Sequence, residues 1–264
     1  MKTLGAIALA FAMISTGCGS SSSSKTQTDD LSGNWQMTLQ SAMSSETQSG
    51  FLLQSGTAIT GSILFSGQTI SGQTSCAGVG ATVGQLSGGA VTITEIPAGQ
   101  TISLTGVPST SFSAMGGNYS ILASGCGQTE VGTWTATKVS PLTGNFGATF
   151  SLAGASDFHF LGTITQGLNT GGSSATLTGT MTSADSPCFT QASIAGVISG
   201  TSVVLNFLTS DGVTLGKFTG TMTTDAASIG GGYKFSNASD PTALGACEGF
   251  GGNSTITVQT PPAT

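Results

Sequence analysis

Apolar and polar residues alternate along much of this chain with a period of two. In one segment Trp35, Met37 and Leu39 are separated by polar residues, and a later segment repeats the phase with Phe146 and Phe150. Because successive side chains of a β-strand point to opposite faces, this pattern predicts strands with one buried face. Gly, Ser and Thr are abundant between the apolar positions, which is typical of short strands joined by tight turns. The chain is predicted to be all-β.

The later half of the chain divides into eight such segments, separated by Gly, Ser, Asn and Asp. Eight short strands joined by hairpins predict an up-and-down antiparallel β-barrel, because closure removes the free edge strands. A β-sandwich is the alternative. The predicted strands lie near residues 144–152, 158–166, 175–182, 190–199, 202–209, 213–223, 228–236 and 253–259.

The body of the chain is an internal duplication. The motif at residues 31–35 recurs at 142–146, an offset of 111, and Tyr119 and Tyr233 keep nearly the same spacing. An offset that holds across several motifs indicates tandem copies. We therefore predict two eight-stranded domains joined at residues 140–141, with copy one at 31–139, copy two at 142–260 and a tail at 261–264.

The chain begins like an exported protein. An apolar run at residues 4–14 ends shortly before Cys18 and a serine-rich tract. This run is too short to span a bilayer, so residues 1–17 are predicted to be a signal peptide. Residues 14–18 resemble the lipobox of bacterial lipoproteins. That resemblance implies a lipid on Cys18, a flexible tether over residues 18–30, and a membrane as partner, with the protein on the outer membrane, facing the periplasm or the exterior.

The four cysteines after Cys18 are predicted to form two disulfides. Export places them in an oxidising compartment. In each copy the first cysteine lies between strands three and four and the second between strands seven and eight. These connections share one mouth of an up-and-down barrel. The predicted pairs are Cys76–Cys126 and Cys188–Cys247.

Charge and residue usage restrict the candidate chemistry. The formal net charge is −6 and arginine is absent, so a nucleic acid partner is disfavoured by repulsion from its phosphates. One histidine and no CxxC spacing predict neither a metal site nor a cofactor. Asp157 and His159 share a strand face, yet no nucleophile is singled out beside them. The glutamates do not recur at matching positions in the two copies, as a duplicated glycosidase pair would. We predict a protein that is not an enzyme.

Gly33, Asn34 and Trp35 open an eight-stranded unit in a way that resembles lipocalins and avidins. In lipocalins an arginine packs over this tryptophan, whereas this chain has none. The resemblance implies a cavity for a small apolar ligand, and glycines in the strands favour incomplete filling of the interior. Such a cavity would be lined by Trp35, Met37, Leu39, Phe146 and Phe150.

The predicted function is that of a lipid-anchored, non-enzymatic protein of the bacterial cell envelope that binds a small apolar ligand in a β-barrel. The alternative is a structural or surface interaction module with plugged barrels, whose outer faces meet another envelope protein.

Overall fold

The computed structural model describes residues 30–70, 73–122, 127–152, 154, 156–237, 244 and 247–259. The predicted signal peptide, Cys18 with the tether up to residue 29, and the tail at 261–264 lie outside these residues. No helix in the described part of the chain is long and apolar enough to cross a membrane.

Eight antiparallel strands close the first barrel, which we call barrel 1. They follow one another around the barrel in chain order, and a two-stranded hairpin formed by β4 (Gln68–Ile70) and β5 (Gln73–Ser75) stands apart between β3 and β6. The barrel strands are β1 (Gly33–Gln40), β2 (Ser45–Ser55), β3 (Ala58–Phe65), β6 (Gly78–Ser87), β7 (Ala90–Pro97), β8 (Thr101–Pro108), β9 (Ala114–Leu122) and β10 (Glu130–Val139).

The second barrel, barrel 2, closes with each strand paired to the next and the last paired to the first. Its strands are β11 (Gly144–Ser151), β12 (Phe158–Gln166), β13 (Ala175–Thr182), β14 (Gln191–Ser199), β15 (Ser202–Leu208), β16 (Thr214–Met222), β17 (Ser228–Phe235) and β18 (Gly251–Gln259). The prediction of tandem eight-stranded up-and-down barrels is confirmed, and the sandwich alternative is wrong.

The base of barrel 1 is closed around Trp35, which exposes no surface. Its indole N–H donates to the carbonyl oxygen of Leu31 at 2.8 Å. The Lys138 ammonium lies 6.0 Å from the ring centroid, within the range of a cation–π contact, and donates to the carbonyl oxygen of Asp30 at 3.0 Å. A lysine from the last strand of barrel 1 therefore lies over the tryptophan.

Glycines in the strands make room for large rings inside both barrels. A Cβ at Gly106 would lie 3.1 Å from Trp134 Cζ2, and one at Gly162 would lie 2.7 Å from Phe146 Cζ. Glycine is used at these positions because a carbonyl oxygen of the paired strand and an inward-facing ring together occupy the space that a Cβ would take. The expectation that such glycines leave the interior incompletely filled is not met there.

The two barrels touch through the turn between β14 and β15, which docks on the outer face of β1 and β2. Asn34 Nδ2 donates to the Gly200 carbonyl oxygen at 2.8 Å, and Gly200 N donates to Asn34 Oδ1 at 2.7 Å. The hydroxyls of Ser49 and Ser199 lie 2.9 Å apart. Asn34 points away from its own barrel and is only 3% exposed, because barrel 2 covers it.

Candidate functional site

The structure places the five predicted ligand-binding residues inside their barrels. Trp35, Met37 and Leu39 belong to the core of barrel 1, and Phe146 and Phe150 to that of barrel 2. The first three expose no surface, whereas a side chain beside a water-sized void would expose some. All five pack against other core side chains, so a ligand at these residues stays a prediction.

The predicted pairing Cys188–Cys247 is confirmed in barrel 2. In barrel 1, Cys76 is disulfide-bonded, and its predicted partner Cys126 lies outside the described residues. The lipidation site Cys18 lies outside them as well. We call the end of each barrel that carries these connections its cysteine end, defined by Cys76 in barrel 1 and by Cys188 with Cys247 in barrel 2.

The histidine pairs with a different aspartate from the one that shares its strand face. His159 Nδ1 lies 2.8 Å from Asp185 Oδ2, and both side chains are about half exposed. The hydrogen bond from His159 lowers the pKa of Asp185 to about 2. Ser183 Oγ also donates to this carboxylate, at 2.9 Å. These bonds hold the connection between β13 and β14 in place and bring no activated nucleophile to the imidazole among the described residues.

Acidic and amide side chains gather inside the cysteine end of barrel 1. Glu46 and Gln48 face inward from β2, Glu95 from β7 and Glu130 from β10, and none is more than 9% exposed. Two further glutamines are buried against them from β4 and from the connection between β7 and β8. We call this group the acidic end of barrel 1; it consists of Glu46, Gln48, Gln68, Glu95, Gln100 and Glu130.

Glu130 is surrounded by hydrogen-bond donors from the protein. Its carboxylate accepts hydrogen bonds from Tyr119 Oη at 2.6 Å, Ser44 Oγ at 2.8 Å and Gln68 Nε2 at 2.9 Å. Burial acts to raise the pKa of Glu130, but the surrounding hydroxyl and amide donors outweigh it and lower the pKa overall. Glu130 is therefore held as a carboxylate.

Glu95 and Glu46 lack comparable donors. Glu95 accepts one hydrogen bond, from Gln48 Nε2 at 2.7 Å, and burial raises its pKa to about 8. Burial also raises the pKa of Glu46, and the nearby charge of Glu130 adds to the rise, although Ser44 opposes it. Ser44 donates its hydroxyl hydrogen to Glu130 at 2.8 Å, so its opposing effect on Glu46 is weak, and neither oxygen of the Glu46 carboxyl has a partner in hydrogen-bond geometry.

The same positions of barrel 2 carry phenylalanine. Glu46 lies opposite Leu39, and in barrel 2 Phe158 lies opposite Phe150, the residue that matches Leu39 in the duplication. The ring of Phe150 lies 4.8–6.0 Å from five other aromatic rings at this end. By the same register, the acidic-end positions of Glu46, Gln48, Glu95 and Glu130 match Phe158, Phe160, Phe207 and Phe250.

Sequence reasoning missed the acidic end although its signal was present. Glu95 occupies the same strand phase as Val91 and Ile93, and Glu46 the same phase as Leu52. A glutamate on the apolar phase of a strand points into the core. The glutamates do not recur at matching positions in the two copies, and that comparison carries no information on which of them meet within one copy.

No protein-family model and no curated protein sequence matches the chain. Among solved structures, it is similar to the agglutinin of Burkholderia oklahomensis, with 11% identity, a TM-score of 0.21, and coverage of 86% of this chain and 95% of that one. It is also similar to intact Ap-TbpB (N and C lobes), with 11% identity, a TM-score of 0.23, and coverage of 81% of this chain and 61% of that one. At these scores neither likeness supports a conclusion about function.

Proposed function

We propose that this chain is a lipid-anchored, non-enzymatic protein of the bacterial cell envelope, whose two barrels act as filled scaffolds that present their outer surface to a partner. The observation that carries the proposal is the packing of the interior. Trp35, Met37 and Leu39 expose no surface, and Phe150 exposes 1%. An apolar ligand would have to displace these side chains, and overpacking a well-packed core is itself destabilising.

The anchor is tested by metabolic labelling with a clickable fatty acid. The wild-type chain should carry the label and sediment with membranes. Cys18→Ser should lose the label and become soluble, whereas Ser20→Ala, a change two residues away, should keep both properties. A Cys18→Ser chain that stays membrane-bound would overturn the anchor.

A second candidate function is the binding of a small apolar ligand within a barrel. It is favoured by one observation, that the five residues predicted to line the cavity do face the barrel interiors. A Trp134→Phe chain leaves Trp35 as the reporter. Its fluorescence should not respond to fatty acids or to retinoid-like or biotin-like compounds if the barrels are filled. A saturable response would establish the second function in place of the first.

A further inference from the structure

The acidic end of barrel 1 has more hydrogen-bond acceptors than donors. Five of its buried side-chain oxygens, and the hydroxyl of Thr82 beside it, have no hydrogen-bond partner in the described structure. Five of the six belong to carboxyl or amide carbonyl groups, which only accept hydrogen bonds unless a carboxyl is protonated. The six atoms are both carboxyl oxygens of Glu46, Oε1 of Gln48, Glu95 and Gln100, and Oγ1 of Thr82.

Water does not fill this need. Each of the six oxygens exposes less than 1 Å² to a water-sized probe, so no room for a water molecule adjoins it. An unpaired buried carboxylate is costly, because it has lost hydration and gained nothing in exchange. A hydrogen-bond donor that reaches these oxygens must therefore be smaller than a water molecule.

Nor does any lysine between residues 30 and 259 that the structure describes bring a positive charge to this place. Lys138 contacts Asp30 at the opposite end of barrel 1. Lys217 and Lys234 lie on the strands of barrel 2, and the chain has no arginine. No group of three histidine, cysteine, aspartate or glutamate side chains in the described part of the chain is arranged to hold a metal ion.

Besides the Thr82 hydroxyl, which lies opposite Glu95 on β6, the donor left for these oxygens is a proton on a carboxyl group itself. We propose that the acidic end of barrel 1 is a proton-binding site, in which Glu95 is held in the acid form at the same end as the Glu130 carboxylate, and that release of this proton to solvent opens the cysteine end of barrel 1. The release leaves one additional carboxylate in the interior. The inference concerns regulation of the barrel and is independent of the lipid anchor.

The surroundings of Glu95 explain its need for a proton. It faces the Gln48 amide from β2, Thr82 directly opposite on β6, and Ile102 opposite on β8. None of these neighbours is charged. Among the described residues, the other titratable side chains gathered here are Glu46, Glu130 and Tyr119, and the pKa of Tyr119 is raised by burial and by its hydrogen bond to Glu130.

The direction of the pH effect follows from the raised pKa values. The pKa of Glu95 is about 8 in the folded chain and takes its ordinary value of 4.5 when the chain unfolds. The folded chain therefore binds one proton more between these values, and the stability of barrel 1 is greatest below pH 4.5 as far as Glu95 is concerned. The stability of barrel 1 falls as the pH rises from 4.5 towards 8, and the contribution of Glu95 is lost completely above about pH 8. Moving the connections at 41–44, 98–100 and 127–129 outward would readmit water to the carboxylates.

The test is amide hydrogen exchange of the mature chain between pH 6 and pH 9.5, corrected for the intrinsic pH dependence of exchange. Segments 41–48, 95–102 and 128–134 should lose protection by at least about tenfold at the higher pH. The segment at 191–208 serves as an internal control, because phenylalanines replace the acids in barrel 2 and this segment carries no ionisable side chain, and its protection should not change.

Glu95→Gln retains the shape of the side chain without an ionisable group and should remove most of the pH response. Asp157→Asn, a change at an exposed carboxylate, should leave the response intact. The same change in hydrogen-exchange protection in both barrels between pH 6 and pH 9.5 would overturn the proposal. So would protection that depends on added Ca²⁺ or on a chelator at constant pH, because a metal ion would then occupy the site. If Glu95→Gln does not fold, the comparison between the two barrels of the wild-type chain decides the question.

Discussion

At the scale of residues, Lys138 and Trp35 show how this sequence closes a barrel base without arginine. The Lys138 ammonium lies 6.0 Å from the indole centroid, donates to the Asp30 carbonyl oxygen and lies 3.9 Å from the Asp30 carboxylate. Three favourable contacts thus converge on one side chain that remains 26% exposed. Solvent weakens the ionic contact with Asp30, because both side chains are partly exposed.

Replacing Lys138 with methionine should lower the free energy of unfolding by about 1 kcal/mol, because the stem is kept and the cation over Trp35 is lost. Lys138→Arg should retain most of the stability, and Lys217→Met removes a lysine that has no such role. Urea denaturation monitored by fluorescence would compare the three. A Lys138→Met chain as stable as wild type would show that the cation does not stabilise the base.

The inward-facing apolar residues could be predicted from the sequence, whereas the inward-facing glutamates were missed. Trp35, Met37 and Leu39 were correctly placed in the interior, because their alternation leaves only the choice of face. The glutamates were not placed, although Glu46 and Glu95 stand on the buried phase. Which acids share one end of a barrel depends on strand register, and register follows from turn geometry and closure rather than from local pattern.

At the scale of elements, alternation predicted the eight strands of barrel 2 to within a few residues. The hairpin of β4 and β5 was not predicted, because the stretch from Thr69 to Ser87 is rich in Gly and Ser and carries little alternation before β6. In barrel 2, the Cys188–Cys247 disulfide joins the connection before β14 to the one before β18. Two connections that are distant in sequence become neighbours at one mouth, which is why the cysteine positions favoured a barrel.

Removing this disulfide with Cys188→Ala and Cys247→Ala together should destabilise barrel 2 by about 4 kcal/mol, the chain-entropy value for a loop of 59 residues. Barrel 1 lies outside the loop and should keep its stability. Hydrogen exchange resolved by segment separates the two effects. Equal destabilisation of both barrels would mean that they unfold as one unit, and no change would mean that the bond does not constrain the unfolded chain.

At the scale of the whole molecule, two copies of one fold are filled in different ways. Barrel 2 closes its cysteine end with a phenylalanine cluster, and barrel 1 closes the same end with carboxyl and amide groups. The copies then join through the turn at 199–201, which buries Asn34 of barrel 1, and Phe51 of barrel 1 belongs to the same apolar cluster as the core of barrel 2. The duplication was readable from sequence, whereas this contact was not, because neither copy carries a local signal for its partner.

The contact depends on glycine at position 200. The φ angle there is +54°, and a Cβ would meet Gln36 Oε1 and lie 2.6 Å from Ser49 Cβ. Gly200→Ala should therefore push the turn off barrel 1 and give separate unfolding transitions for the two barrels in calorimetry. Gly212→Ala is the matched control, because its φ is +85° but nothing lies within 4 Å. Both alanines carry a backbone cost of about 1 kcal/mol, so only Gly200→Ala should uncouple the barrels. Identical thermograms would refute this role for the contact.

Barrel 1 is closed over the acid form of Glu95, and a ¹³C NMR titration of the glutamate carboxyls in the folded chain between pH 2 and pH 10 tests this directly. We predict one carboxyl that titrates near pH 8 and disappears in Glu95→Gln, a second that titrates above the ordinary 4.5, and a third, Glu130, that titrates below it. If every glutamate of the folded chain titrates between pH 4 and pH 5, the acidic end is open to water and the account is contradicted.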